Sequence, residues 1–126
     1  MKFSKLKELN VWTESVKLAT EIYKAVNAST KFIRDFGLKE QIQRSAVSIP
    51  SNIAEGFERE TGAEFIRFLF IAKGSCAELK TQIIIAKEIG YISEEKSSEL
   101  LDICDHISIM IFKLIEYLRK TRLKKK

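Results

Sequence analysis

The segment QIQRSAVSIPSNIAEGF, residues 41–57, decides how this chain is read. Apolar residues fall at Ile42, Ala46, Ile49, Ile53 and Phe57. Spacings of four, three, four and four describe one face of an α-helix. The only proline of the chain, Pro50, stands in the middle of that face. Inside a straight helix a proline removes one backbone donor and crowds the carbonyl four residues back, here that of Ala46, at a cost of roughly 3 kcal/mol. The apolar register nevertheless runs through it unbroken. A single helix kinked at Pro50 reconciles the two facts better than two separate helices, with Ser48 or Ser51 available to bond groups that the kink frees.

Outward from this segment the same periodicity recurs. Trp12, Val16, Ala19, Tyr23 and Val26 mark a first helix over residues 10–28, with Asn10 as its N-cap. Residues 29–37 read as a connection, and the proline-bearing helix then spans 38–57. Thr61 and Glu64 form a capping-box pattern that opens a third helix, which ends at Gly90. Ser93 caps a fourth that extends to about residue 122. The third helix has a seam of Phe65, Leu69, Ala72, Cys76, Leu79, Ile83 and Ala86; the fourth has Leu100, Cys104, Ile107, Ile111, Leu114 and Leu118. Four such helices with short links make an all-α, up-down-up-down four-helix bundle.

The third helix carries more apolar surface than one bundle core needs. Ile66, Phe70, Ala77 and Ile84 form a second stripe, and residues 107–112, ISIMIF with Met110 at their centre, are apolar nearly all round. A helix apolar on several sides is normally buried on all of them. Ile66, Phe70, Ala77, Ile84 and Met110 are therefore the expected contacts with another subunit.

Composition narrows the class. At 126 residues, 45% hydrophobic and 31% charged, with five glycines, the chain suits one helical domain that needs neither disulfide nor metal. No apolar run approaches the ~18 residues of a membrane span. The opening MKFSKLKELN lacks the apolar core of a signal peptide, so a cytoplasmic location with no membrane partner is expected. The net charge of +5 is unevenly divided. Lys2, Lys5 and Lys7 supply three positive charges before the first acid, and Arg119, Lys120, Arg122, Lys124, Lys125 and Lys126 supply six at the other end. Residues 8–118 consequently carry a net charge of −4. Residues 1–118 form the bundle, and 119–126 are a basic helix end or tail. Six cations in eight residues exceed what a helix C-terminus requires, which suits an anionic partner.

The ordered fragments of residues 37–92 resemble a known family. SIPSNIAEG (48–56) is followed by Glu64-Phe65, Phe68-Leu69, Ile71-Ala72, Gly74-Ser75, Glu78-Leu79 and Gly90-Tyr91-Ile92, and preceded by Val11-Trp12 and Ile22-Tyr23. This combination resembles the bacterial four-helix-bundle proteins encoded in intervening sequences of 23S ribosomal RNA genes. The resemblance covers residues 6 to about 118. It implies a bundle that assembles as a ring, a homopentamer, and it is similar to accessory proteins of diversity-generating retroelements that work with reverse transcriptase and nucleic acid. Where such proteins often have Arg-Arg before SIPSNIAEG and Gly-Arg after it, this chain has Gln43-Arg44 and Glu58-Arg59. Both differences lower the positive charge of this stretch.

Catalytic chemistry finds no foothold. The single histidine, His106, has no Glu-x-x-His partner for a di-iron bundle, and GFERETG lacks the Gly-Lys-Ser/Thr ending of a phosphate loop. Cys76 and Cys104 lie on core seams, where a free thiol behaves as a small hydrophobe. Asn52 and Glu55 read either as a ligand-facing pair or as a hydrogen-bonded turn between the second and third helices. The expectation is a non-enzymatic protein without cofactor or metal, bound to RNA or DNA through Lys2, Lys5, Lys7, Arg119, Lys120, Arg122, Lys124, Lys125 and Lys126. The alternative is a structural adaptor ring that docks another protein.

Overall fold

The computed structural model describes Leu6 and residues 9–124, with the backbone alone for 122–124. Five helices follow in order: α1 (Asn10–Asn27), α2 (Thr30–Arg34), α3 (Phe36–Phe57), α4 (Gly62–Glu88) and α5 (Glu94–Lys124). Among the described residues all regular structure is helical. The four long helices pack in a closed cycle, α1 on α3, α3 on α4, α4 on α5 and α5 back on α1. Cross-helix contacts set their directions. Ser48 on α3 meets Ser75 on α4, Lys80 on α4 pairs with Asp105 on α5, and Lys96 on α5 reaches Glu21 on α1. Each long helix thus runs antiparallel to the next, up and down around one core.

α3 continues through Pro50 without interruption, and Ile42, Ala46, Ile49 and Ile53 are all buried. Phe57 is half-buried, its ring edge-on to Phe65 at 6.1 Å. The α4 seam is buried as the heptad pattern predicts, from Phe65 to Ala86. On α5 the seam holds except at Leu114, which is half-buried while Ile115 takes the core position. Cys76 and Cys104 sit inside this core, where burial pushes their thiols up to about 11 and about 12 respectively. Burial of this kind favours the neutral thiol, which is the less nucleophilic form.

Three readings are corrected. In α1 the buried residues are Val11, Ser15, Leu18, Ala19, Ile22, Ala25 and Val26, so of the expected stripe Ala19 and Val26 are buried and Trp12 half-buried, while Val16 and Tyr23 are exposed. Packing against α3 and α5 selects the apolar face with Leu18 and Ile22. Ser15 enters the core because its hydroxyl donates to the Trp12 carbonyl at 2.8 Å. The N-cap of α1 is Leu9, not Asn10, and it makes no side-chain cap bond. Residues 29–37 are not a plain connection. Ser29 accepts from the Phe32 amide at 3.2 Å, closing the one-turn helix α2 over a fully buried Phe32.

Helix ends elsewhere follow the sequence signals. Thr61 Oγ1 accepts from the Glu64 amide at 3.1 Å, while the Glu64 carboxylate turns to Arg67, so half of the capping box forms. Gly90 adopts φ +82, and the amides of Gly90 and Tyr91 close a Schellman motif on the carbonyls of Lys87 and Ala86.

Asp35 ties two corners together. Its Oδ1 accepts from the Leu38 amide at 3.1 Å and caps α3, and its Oδ2 accepts from the Tyr91 hydroxyl at 2.8 Å. The Tyr91 ring packs on Phe32 at 5.1 Å. The Leu38 amide and then the Tyr91 hydroxyl hold the Asp35 carboxyl below its ordinary range, and the bond to Asp35 raises the Tyr91 phenol. The lowered carboxyl contributes stability above the unfolded value near 4, lost as pH falls through the folded one. The raised phenol contributes below the unfolded value near 10, lost as pH rises further. Tyr91→Phe should therefore lower stability most between about pH 4 and 10, with the gap closing on either side. Urea titrations of both proteins across pH test this, and a gap independent of pH would refute it.

Candidate nucleic-acid interface and the surfaces around it

Of the nine terminal cations, Arg119 and Lys120 are the two whose side chains the structure describes. Arg119 and Lys120 are exposed on the last turns of α5, and the Arg119 guanidinium lies 5.4 Å from the Phe70 ring near the start of α4. It also pairs with Glu116 at 3.3 Å. Arg122 and Lys124 continue the same helix by backbone. Lys2, Lys5, Lys7, Lys125 and Lys126 lie outside the described residues. The antiparallel pairing of α1 with α5 puts the start of α1 beside the C-terminal half of α5.

The α3–α4 turn is at this end too. Arg59 pairs with Glu55 at 2.9 Å and Arg67 with Glu64 at 3.2 Å, and both guanidiniums lie within 5 Å of the Phe68 ring, at 4.8 and 4.6 Å. The bond from Arg67 holds the Glu64 carboxyl below its ordinary value. Each arginine is offset by a glutamate, so this turn adds little positive field, in keeping with Glu58 standing before Arg59.

The expected subunit contacts separate into two groups. Phe70, Ala77 and Ile84 are exposed along α4, the two larger ones at 44% each. Ile66 instead belongs to the protomer's own core at 8%, and Met110 is half-buried against that core. On α5, Ile109 and Phe112 are exposed while Ile107 and Ile111 are buried, so the ISIMIF run serves both a core and an outer surface. The α4 stripe borders a shallow groove toward α5, lined by Lys73, Ala77, Lys80, Thr81, Ile84 and Ser108. The heptad arithmetic separated the stripes correctly but assigned Ile66, at the edge between them, to the outer one.

SIPSNIAEG is a packing device. Asn52 donates to the Ser48 carbonyl at 2.8 Å and to Ser48 Oγ at 2.9 Å. Ser48 Oγ and Ser75 Oγ are 2.8 Å apart, and Ser75 donates to the Ile71 carbonyl. With Ser75 so engaged, the Ser48 hydroxyl is the donor between them. The chain of donors thus runs from α3 into α4. Asn52 is therefore engaged within α3, on Ser48, rather than in a turn between helices, and Glu55 faces Arg59. The Ser48 hydroxyl is committed to this chain rather than to the carbonyl freed by Pro50. Gly56 comes closest of all. A methyl there would stand 2.8 Å from Phe68 Cβ and 3.0 Å from Phe65 Cδ1.

Two further features bear on chemistry. His106 is exposed, and among the described residues no group of three or more histidine, cysteine or carboxylate side chains is placed to hold a metal. Among them also, no helix is long and apolar enough to cross a membrane.

The comparison with known sequences now meets this geometry. The model of the 23S rRNA-intervening sequence protein family matches residues 7–113. The chain belongs to that family. The match includes α1 to α4, most of α5 and the whole SIPSNIAEG device. A solved structure from Bacteroides thetaiotaomicron VPI-5482, described as a protein with unknown function from the S23 ribosomal protein family, is similar at 25% identity and a TM-score of 0.78. The similarity covers 83% of this chain and 97% of that one. No match is found among curated proteins. The family match stops before the basic end of α5, so the six C-terminal cations lie outside it.

Gly56→Ala should destabilise the protein by about 1–3 kcal/mol through overpacking of α3 against α4. Gly74→Ala, where a methyl meets nothing within 4 Å, should instead be neutral or stabilise by about 0.5–1 kcal/mol through helix propensity. Denaturant midpoints decide it; equal effects at the two glycines would refute the close-contact role of Gly56.

Proposed function

We propose that this member of the 23S rRNA-intervening sequence protein family is a non-enzymatic, oligomeric helical module that associates with structured RNA through its basic chain ends. One observation carries the reading: six cations in the last eight residues, on and beyond the end of α5, against a body of net charge −4. A cationic end of this density favours phosphate backbone with little sequence preference and a steep dependence on salt. The acidic body turns such contact toward one rim. Cytoplasmic RNA, ribosomal or otherwise structured, is the partner this charge fits.

Assembly as a homopentameric ring belongs to the same proposal. Its support is the exposed stripe of Phe70, Ala77 and Ile84 beside Ile109 and Phe112. Exposed apolar side chains repeated along one face of a helix are the usual mark of a subunit contact. A bend of α3 at Pro50 would shape the bundle for such a ring, since the missing donor at Pro50 frees the Ala46 carbonyl.

Phe70→Glu or Ile84→Glu should dissociate the oligomer at micromolar concentration while helix content is kept, as read by light scattering and circular dichroism. A monomeric wild-type protein would overturn the ring. Truncation after Leu118 removes the six C-terminal cations and should weaken binding to a structured RNA by about tenfold or more at moderate salt, with a shallower salt dependence. Assembly should be unaffected. If the truncated protein binds RNA as tightly as the full chain, the basic end is solubilising only and the adaptor reading takes its place.

A further inference from the structure

The corner between α2 and α3 lies at the end of the bundle away from the C-terminus of α5, beside the α4–α5 turn to which Asp35 and Tyr91 bind it. Phe36, the first residue of α3, is 72% exposed there, the most exposed large hydrophobic among the described residues. Ile33 is exposed beside it in the chain. Three cations surround this apolar surface in sequence. Lys31 and Arg34 are exposed on α2, and Lys39 is half-buried with its ammonium 5.7 Å from the centre of the Phe36 ring. Among the described residues none of the three has a carboxylate partner within ion-pair distance.

Three of the nearby acids are paired with other cations, while Asp35, bonded to neutral donors, keeps its charge. Asp35 accepts from the Leu38 amide and the Tyr91 hydroxyl, Glu40 pairs with Arg44 at 2.8 Å, and Glu88 and Glu94 flank Lys87 at 3.2 and 3.8 Å. The backbone beneath the patch is fixed. Phe32 is buried under α2, Ser29 caps that helix, and the Asp35–Tyr91 bond pins the corner to the neighbouring turn. An exposed aromatic face is thus held on a rigid mount among unpaired cations.

We infer that this corner is a contact site for single-stranded nucleic acid, with Phe36 stacking on one base and Lys31, Arg34 and Lys39 meeting the flanking phosphates. Stacking on an aromatic ring tolerates any base, because every base has a π-face, and lysines or arginines beside it follow the backbone. A duplex keeps its bases in its own stack and offers the ring nothing. A protein partner fits less well, since the centre of a protein interface is depleted of lysine whereas here Lys31 and Lys39 would have to be desolvated. The inference rests on the nucleic-acid reading above but on different residues, at the opposite end of the bundle.

The test is a fluorescence-anisotropy titration of the full chain with a labelled oligouridylate of about twelve nucleotides, a length within the usual single-strand site sizes. Phe36→Ala should weaken binding about five- to a hundredfold. Phe36→Trp should keep the affinity and add an indole emission, relative to wild type, that is quenched on binding. Lys31→Ala with Arg34→Ala should flatten the salt dependence by about 0.7 for each cation removed. A blunt RNA duplex should bind wild type and Phe36→Ala alike. Phe36 is solvent-exposed, so its variants should melt as wild type does. If Phe36→Ala and the double variant bind oligouridylate like wild type while truncation after Leu118 abolishes binding, this site is overturned and the chain-end reading stands. Wild type that binds no nucleic acid overturns both. A Phe36→Ala defect confined to capture of a protein partner, with oligouridylate affinity unchanged, also overturns it.

Discussion

The contact between α3 and α4 is the constraint on which the rest of this molecule depends. At Gly56 the two helices come close enough that a single methyl group would collide with Phe65 and Phe68. One helical stretch further along, the Ser48 hydroxyl meets Ser75 at 2.8 Å. Small residues at both points let the backbones approach, and the hydroxyl chain satisfies the polar groups that the approach buries. With this pair in place, Ile49 and Ile53 meet Leu69, Ala72 and Cys76 in one core. α1 and α5 then close the cycle around them. The SIPSNIAEG segment is best understood as this hinge of packing. Ser48 and Asn52 are held in the hydrogen-bond chain, Glu55 pairs with Arg59 on the outside, and Ser51 is exposed.

Because the core is so consistently apolar, the chemistry of the chain is confined to its surface. Buried thiols are held protonated, the lone histidine is exposed, and the charged side chains pair mostly along or between neighbouring helices. Such exposed pairs contribute little to stability, typically under about 1 kcal/mol each. Their larger consequence is to neutralise the bundle wall. Lys80 with Asp105 and Arg119 with Glu116 cancel charge along the α4–α5 face, and Arg59 with Glu55 does so at the α3–α4 turn. Among the described residues, Lys31, Arg34 and Lys39 at the α2–α3 corner and Lys120 near the end of α5 are cations without such a partner. A body neutralised along its length and cationic at its extremities suits contact with a polyanion at its ends and with other subunits along its sides.

Much of this was legible in the sequence. The boundaries of α4 and the start of α5 follow from apolar period and from Thr61, Gly90 and Ser93, because those residue types satisfy or relieve backbone groups locally, whereas α3 begins at Phe36 on the Asp35 cap, before the expected 38. The α4 seam was equally plain, since seven positions in heptad register leave one choice of buried face. The net charge of −4 over residues 8–118 against the basic termini was a matter of counting. Family membership too could be read from the ordered fragments around SIPSNIAEG.

Other features were decided by tertiary structure. α1 offered two apolar stripes of similar strength, one with Trp12, Val16 and Tyr23 and one with Val11, Leu18 and Ile22, and only the shape of the groove between α3 and α5 chose between them. Ile66 lies on the border of two stripes of α4, and the packing of the protomer core puts it inside. α2 is one turn long, too short to show a period, and it exists because Phe32 found a place under Tyr91. The same docking leaves Phe36 outside, since the residue that begins α3 must turn away once Asp35 has capped the helix and bound Tyr91. Local hydrogen-bonding rules and apolar period act within a few residues and are written in the chain; which of two apolar faces is buried, and which aromatic is left in solvent, is settled only when distant helices compete for the same core.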